Sequence, residues 1–223
     1  MKPKKEKSEE QSNIPPLEFY SREFWDNFYL NRNPNVNNIT WYFDITKINM
    51  DNFSLDLISK DDDILLLGPG LSSILDYFYD NDYKKISIID FSEQLIQILS
   101  EKYSEDWMID CYDILDINDE SLVKDYNVII DKGCLDCIIS EPKNGQKNFI
   151  KAFKNIMELL NEDGIFFYFS TAYDRENLFH PSSKINCEIT KIDMNQDMEK
   201  QYRQFEKEDN VYYLYTIRKE EEE

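Results

Sequence analysis

The sequence is poor in residues that several common chemistries require. It has a single histidine, His180, so no Ser or Cys nucleophile has an evident partner, which argues against triad catalysis. Its four cysteines suggest no disulfide framework. Cys134 and Cys137 have the spacing of a zinc or redox pair, but no second pair supplies the remaining ligands. We therefore predict reduced thiols, no metal site and a cytosolic compartment.

Positive charge is also scarce. The chain has 25 Lys and Arg residues against 45 Asp and Glu residues, giving a net charge of −20. Because proteins bind nucleic acids through clustered Lys and Arg, no nucleic-acid partner is expected, whereas a basic protein partner fits the acidic field. No apolar run is long enough to span a bilayer, and no signal-peptide core follows the Lys-rich start. We expect a cytoplasmic protein without a membrane segment.

The chain does contain enough apolar residues to form one domain. Of its 223 residues, 41% are hydrophobic and 14% aromatic, which suits a single folded unit with a sizeable core. We predict a disordered tail at residues 1–13, one domain over residues 14–218, and an acidic tail at residues 219–223. Within the domain, residues 14–60 are predicted to form aromatic lid helices and residues 61–218 a Rossmann-like core.

The stretch that organises the chain is an apolar run followed by a glycine turn. Ile64 to Leu67 shows no polar alternation, which is typical of a strand buried on both faces of a parallel sheet. Gly68 and Gly70 follow, and a helical pattern begins near Ser72. A strand, a tight turn and a helix N-terminus together let a ligand approach the backbone closely.

A second apolar run, Ile86 to Ile89, ends in Asp90. An acid at the end of the second strand of such a unit commonly accepts hydrogen bonds from ribose hydroxyls. The two runs together predict a nucleoside-containing cofactor at the carboxyl ends of parallel strands.

The remaining pattern predicts a doubly wound, seven-stranded and mostly parallel α/β sheet with a C-terminal antiparallel hairpin. Predicted strands three to seven cover residues 106–111, 126–130, 165–170, 185–194 and 211–218. Amphipathic helices are predicted before the first strand, from Ile45 to Ile58, and before the fifth, from Gln146 to Leu160. The closing hairpin distinguishes the class I methyltransferase version of the fold from that of a plain dehydrogenase.

Three features favour S-adenosylmethionine over a dinucleotide. Ser73 stands where the dinucleotide fingerprint needs a third glycine. Pro69 lacks an N–H that a pyrophosphate would use. Asp113 ends the third strand, where a methyltransferase uses an acid on the adenine amino group. An NAD-dependent Rossmann oxidoreductase and a catalytically inactive interaction module with the same fold remain the alternatives.

The N-terminal aromatic residues allow two interpretations. Trp25 and Tyr29 share one face of a predicted helix that Ser21 caps. They either dock the helix on the core or form a lid whose rings reach the cofactor.

These motifs resemble the methyltransferase-like family that contains lysine methyltransferases of translation elongation factor 1-alpha, of the type associated with endothelin-converting enzyme 2. The resemblance runs from about Phe24 to Arg218. Its carriers are Phe24 to Tyr29, Trp41 with its aromatic neighbours, Leu67 to Ser72, Asp90 to Ser92, and Asp131 to Asp136. The last segment, Asp-Lys-Gly-Cys-Leu-Asp, is the most specific.

The resemblance implies a S-adenosylmethionine-dependent enzyme that methylates a lysine of a basic protein, with elongation factor 1-alpha as a candidate, and releases S-adenosylhomocysteine. The predicted cofactor-binding residues combine those that the resemblance implies with Gly70, which the turn itself suggests. They are Trp25, Tyr29, Trp41, Gly68, Gly70, Asp90, Phe91, Asp113, Ile114 and Lys132. Lys132 is expected to act through its backbone or stem rather than its charge. The catalytic candidates are Asp131, after the fourth strand, and Tyr173, after the fifth.

Overall fold

The protein forms one seven-stranded sheet flanked by helices. The computed structural model describes residues 18–31, 41–48, 53–103, 107–116, 125–179, 184–193 and 211–220. The strands are β1 Ile64–Leu67, β2 Ile86–Asp90, β3 Met108–Cys111, β4 Tyr126–Lys132, β5 Leu160–Ser170, β6 Ile185–Asp193 and β7 Val211–Lys219. The helices are α1 Arg22–Leu30, α2 Ser73–Asp80, α3 Glu93–Tyr103, α4 Cys134–Ile139 and α5 Gly145–Leu159.

The strand order is β3-β2-β1-β4-β5-β7-β6. β1 to β5 run parallel, whereas β7 is antiparallel to both β5 and β6. The predicted fold class, including the C-terminal hairpin, is therefore confirmed. The carboxyl ends of β1 to β5 all meet at one edge of the sheet, which is where a doubly wound fold binds its ligands.

The sheet is buried because its central strands are apolar on both faces. Ile64 and Leu66 of β1 pack in the cluster that contains α2 and α3, whereas Leu65 and Leu67 pack in the cluster that contains α5. Successive residues of a strand point to opposite faces, so a strand between two helical layers must be apolar at every position.

The predicted helix from Ile45 to Ile58 is wrong. The described part of this segment forms two short 3-10 helices, Ile45–Lys47 and Leu55–Leu57, and residues 49–52 lie outside the described residues. Asp44 and Ser54 each accept a hydrogen bond from the backbone N–H two residues ahead, at 3.0 and 3.3 Å. Such local bonds favour turns over a continuous helix, although the apolar residues still reach the core.

Strand lengths differ from the prediction around β4 and β5. β4 continues through Lys132, and β5 begins at Leu160, which pairs with Tyr126 across a register shift. α4 was not predicted, because six residues are too few to show a helical period. The predicted tail at residues 1–13, the predicted strand residues 106 and 194, and His180 lie outside the described residues. Among those that are described, no helix has the length and apolarity needed to cross a membrane.

Candidate active site

A cavity lies at the carboxyl ends of β1 to β4, beneath α1. The structure brings all ten residues of the predicted cofactor set to its wall, namely Trp25, Tyr29, Trp41, Gly68, Gly70, Asp90, Phe91, Asp113, Ile114 and Lys132. They come from six separate stretches of the chain. Four of these stretches meet because parallel strands end at a common edge, and the other two, α1 and the segment at Trp41, pack over that edge. That they bind a cofactor stays a prediction.

The glycine turn after β1 forms the floor of the cavity, with Pro69 between Gly68 and Gly70. Gly68 and Gly70 have φ angles of 49° and 57°, in the left-handed region that favours glycine. A Cβ atom on Gly68 would lie 3.0 Å from the Cβ and Sγ atoms of Cys134, and one on Gly70 would lie 3.1 Å from the Tyr29 hydroxyl. Side chains are therefore excluded here, which leaves room for a ligand against the main chain.

Asp90 is a buried acid at the edge of this floor. Its Oδ1 accepts from the Ser92 backbone N–H at 2.9 Å, and its Oδ2 lies 3.7 Å from where a Cβ on Gly68 would be. Burial raises the pKa of Asp90 to about 7, and the nearby charges of Asp26 and Asp113 act in the same direction. The Ser92 N–H and Arg22 oppose that rise. One oxygen is thus fixed by the protein, and the other faces the glycine turn.

The helix α1 covers the cavity with aromatic rings. Ser21 caps α1 as predicted, because its Oγ accepts from the Phe24 backbone N–H at 3.3 Å. The Trp25 and Tyr29 rings stack with centroids 5.8 Å apart, and Trp25 meets Trp41 edge-on at 5.6 Å. Tyr29 is buried in the core cluster and also lines the cavity. Helix α1 therefore docks on the core through Tyr29, and the same side chain lines the cavity.

The helix α1 is tied to the Asp90 region by a hydrogen-bond chain. The Ser92 hydroxyl donates to Asp26 of α1 at 2.6 Å, while the Ser92 backbone N–H donates to Asp90. Arg22 lies over the Phe91 ring, 5.7 Å from its centroid. Ser92 therefore bonds both to helix α1 and to Asp90, the predicted ribose-binding acid.

Lys132 is partly buried, and its charged group contacts other residues of the protein. Its ammonium group donates to the Trp41 carbonyl oxygen and lies 5.9 Å from the centroid of the Phe43 ring. Burial lowers the pKa of Lys132 to about 8, against the opposing effects of Asp44 and Asp131. This placement agrees with the expectation that the stem or backbone, rather than the charge, faces a ligand.

The two catalytic candidates are not on the cavity wall. Asp131 is fully buried, and its carboxylate accepts from the backbone N–H groups of Cys134 and Leu135 at 2.8 and 2.9 Å. It therefore caps the first turn of α4. Tyr173 is 65% exposed and packs beside Tyr213, with ring centroids 6.0 Å apart. Neither lines this cavity, and a catalytic role for either residue stays a prediction.

The sequence analysis missed three polar residues around the cavity. Glu141 and Asn148 line the wall beside Ile114 and Leu115, and the Asn148 amide donates to the Glu141 carboxylate at 2.7 Å. Asp136 lies behind the wall and accepts hydrogen bonds from several segments of the chain. Only Asp136 had a signal, as the last residue of the Asp-Lys-Gly-Cys-Leu-Asp segment. Within the described ranges, no group of three or more His, Cys, Asp or Glu residues could hold a metal ion.

Solved structures share this architecture. A TehB-like SAM-dependent methyltransferase from Corynebacterium glutamicum superposes with a TM-score of 0.55, at 14% identity, over 89% of this chain and 98% of that one. The N-methyltransferase NodS from Bradyrhizobium japonicum, in complex with S-adenosyl-L-homocysteine, gives a TM-score of 0.51 at 15% identity, over 71% of this chain and 78% of that one. The fold is that of a class I methyltransferase.

Part of the sequence also matches a curated methyltransferase. A 125-residue stretch is 26% identical to an eEF1A lysine and N-terminal methyltransferase from Danio rerio. The match covers 56% of this chain but only 18% of the relative. No protein-family model matches the chain. The predicted resemblance is thus confirmed for the class I methyltransferase fold.

Proposed function

We propose that this chain is a S-adenosylmethionine-dependent methyltransferase. The observation that carries the proposal is the convergence of the glycine turn after β1, a buried acid at the end of β2 and a second acid after β3 on one cavity. Methionine, ribose and adenine need these three kinds of surface in this order along the sheet edge. When bound, the cofactor supplies an electrophilic methyl group on a sulfonium.

Each group on the wall has a role that follows from its chemistry. The free oxygen of Asp90 accepts from ribose hydroxyls, and Asp113 accepts from the adenine amino group. The backbone at Gly68 and Gly70 holds the methionine part. The faces of Trp25 and Trp41 stabilise positive charge by cation–π attraction, worth about 0.5–2 kcal/mol depending on desolvation.

We further propose that the acceptor is a lysine of a basic protein, with elongation factor 1-alpha as the first candidate. The net charge of −20 favours a positively charged partner by steering its approach. The 26% match to an eEF1A lysine and N-terminal methyltransferase supports the same class of acceptor. A lysine must lose its proton before it attacks, and a cavity lined by aromatic rings favours the neutral amine. Four free cysteines suit a cytoplasmic enzyme.

Calorimetry with S-adenosylmethionine, S-adenosylhomocysteine and NAD tests the cofactor, and transfer of a labelled methyl group to purified elongation factor 1-alpha tests the acceptor. We expect binding of the first two ligands and no heat with NAD. Binding of NAD alone would instead support an oxidoreductase. Cofactor binding without transfer to any basic protein would favour the interaction module.

Cofactor affinity should depend on pH through Asp90. Since the pKa of this carboxyl is raised to about 7 and its ionised form accepts the ribose hydroxyls, affinity for S-adenosylhomocysteine should fall roughly tenfold from pH 8 to pH 6. The charged groups facing Asp90 are Asp26 and Arg22 of α1 and Asp113 after β3. Calorimetry across this range checks the slope. An unchanged slope in Asp90→Asn would assign it to another group.

A further inference from the structure

The order of strands separates the proposed cofactor from its acceptor. Asp113 follows β3, Asp90 ends β2, and the glycine turn follows β1, so the proposed cofactor occupies the ends of these three neighbouring strands. The ends of β4 and β5 come next in the sheet, on the side of the methionine part. Because the methyl group leaves from that part, the acceptor must approach over the ends of β4 and β5. This step rests on the proposed function.

One carboxylate, Asp136 of α4, joins the segments at those strand ends. It accepts from the Tyr168 hydroxyl at 2.6 Å, the Ser170 hydroxyl at 2.8 Å and the Thr171 backbone N–H at 3.0 Å. Arg175 forms an ion pair with it at 3.1 Å. The Asp136 side chain is only 8% exposed and that of Arg175 18%, so water screens the pair weakly.

The same carboxylate reaches the cavity wall through Tyr42. The Tyr42 hydroxyl donates to Asp136 Oδ2 at 2.8 Å, and Tyr42 has a φ of 66°, which is strained for a residue with a large side chain. Its neighbour Trp41 lines the cavity, and the rings of both lie against Gly133. The Lys132 ammonium group holds the Trp41 carbonyl from the other side. The position of the Trp41 ring therefore depends on the bond from Tyr42 to Asp136.

Asp136 has no free lone pair with which to take a proton. Oδ1 accepts from Tyr168, Ser170 and Arg175, and Oδ2 accepts from Tyr42, Ser170 and Thr171. A carboxylate with this many donors, one of them a guanidinium, is fully committed to the protein. These bonds hold the surrounding segments in place, which gives the carboxylate a role in geometry.

We propose that Asp136 is a positioning residue for the methyl acceptor. It holds the Trp41–Tyr42 segment and the loops after β4 and β5 in the arrangement that aligns an acceptor amine with the methyl group, and it touches neither. Methyl transfer depends on in-line placement, so loosening this wall lowers turnover. Affinity for S-adenosylhomocysteine, which lacks the sulfonium charge that the Trp41 ring would stabilise, still rests on the glycine turn, Asp90 and Asp113.

Asp136→Asn keeps the shape and removes the charge, and Tyr42→Phe removes only the donor that links the network to the wall. We expect each to leave the affinity for S-adenosylhomocysteine within about twofold of the wild type and to lower kcat for elongation factor 1-alpha at least tenfold. Because both single variants weaken the same Tyr42–Asp136 hydrogen bond, the double variant should have a kcat little lower than that of Asp136→Asn alone. Tyr213→Phe, an aromatic change on the neighbouring strand β7 and outside the network, serves as the control.

Hydrogen exchange in the complex with S-adenosylhomocysteine gives a readout that needs no acceptor. Asp136→Asn should speed exchange at least tenfold in residues 41–48 and 171–175, while residues 64–70 and 86–92 keep wild-type rates. Equal acceleration everywhere, or none at residues 41–48, would overturn the inference. If the wild type binds no cofactor, the proposed function fails instead, and exchange in the free protein still decides whether Asp136 holds the wall.

Discussion

Asp90→Ala should lower the affinity for S-adenosylmethionine at least a hundredfold and leave the fold intact. A hydrogen bond to a charged group contributes about 1.5–3 kcal/mol, so losing bonds to two ribose hydroxyls costs roughly 3–6 kcal/mol. Each 1.4 kcal/mol corresponds to about a tenfold change in affinity. Calorimetry at pH 8, where Asp90 is ionised, measures the loss.

Ionisation of Asp90, which favours cofactor binding, should lower the stability of the fold. The pKa of Asp90 is about 7 in the fold against 3.8 for an unperturbed carboxyl, so the folded state holds the proton more tightly than the unfolded state. The stability that this group contributes is therefore present below about pH 4 and is lost as pH rises to 7. Asp90→Asn should be more stable than the wild type at pH 8, since it removes a buried charge and keeps the bond from Ser92.

Asp116→Ala is a matched control for both effects. Asp116 lies three residues after Asp113, but its side chain is 79% exposed and pairs with Lys151 at the surface, at 3.3 Å. Such a pair contributes little, so neither affinity nor stability should change measurably. Wild-type cofactor affinity in Asp90→Ala, measured beside this control, would contradict the assignment of the ribose acid.

The sheet could be predicted because burial on both faces leaves a direct trace in the sequence. Ile64 to Leu67 is apolar at every position, and Ile86 to Ile89 at every position except Ser87, which few other environments require. The segment from Ile45 to Ile58 shows the limit of this method. Its apolar spacing fits a helix, yet Asp44 and Ser54 bond locally to the backbone and turn the chain. Apolar periodicity indicates which residues are buried, but it does not indicate which backbone conformation buries them.

The cavity wall could be predicted for a similar reason. Residues such as Asp90 and Asp113 follow strands, and parallel strand ends converge whatever the loops do. The role of Asp136 could not be predicted, because its donors lie 32 to 94 positions away along the chain. Asp131 is a catalytic candidate because it follows the predicted fourth strand, which ends at residue 130. In the structure it lies within β4 and is buried in the core, where its carboxylate accepts from the backbone at the start of α4.

Gly145→Ala should destabilise the protein by about 3 kcal/mol or more, near the upper end of the range for overpacking. Gly145 is the first residue of α5, and a Cβ atom there would lie 2.2 Å from the Ile139 carbonyl oxygen and 2.8 Å from its carbon. Both are backbone atoms, so no side-chain rotation relieves the clash. For a chain of this length the loss lowers the Tm by roughly 6–12 °C.

Relieving the clash requires one of the two helices to move, because Gly145 begins α5 and Ile139 ends α4. α5 buries Phe149, Phe153 and Ile156 fully against the sheet, so it resists moving away. α4 is the easier helix to displace, and it carries Cys137 of the cavity wall together with Asp136. Gly145→Ala should therefore also weaken binding of S-adenosylhomocysteine, which separates it from a substitution that affects stability alone.

Urea denaturation with Lys147→Ala as the control tests this expectation. Lys147 lies in the same first turn of α5 with an exposed side chain, so its replacement changes helix chemistry but not the contact between α4 and α5. A Gly145→Ala protein as stable as Lys147→Ala would mean that α4 moves freely against α5. The wall of the cavity that α4 carries would then be adjustable, and alignment of the acceptor would have to come from the substrate itself.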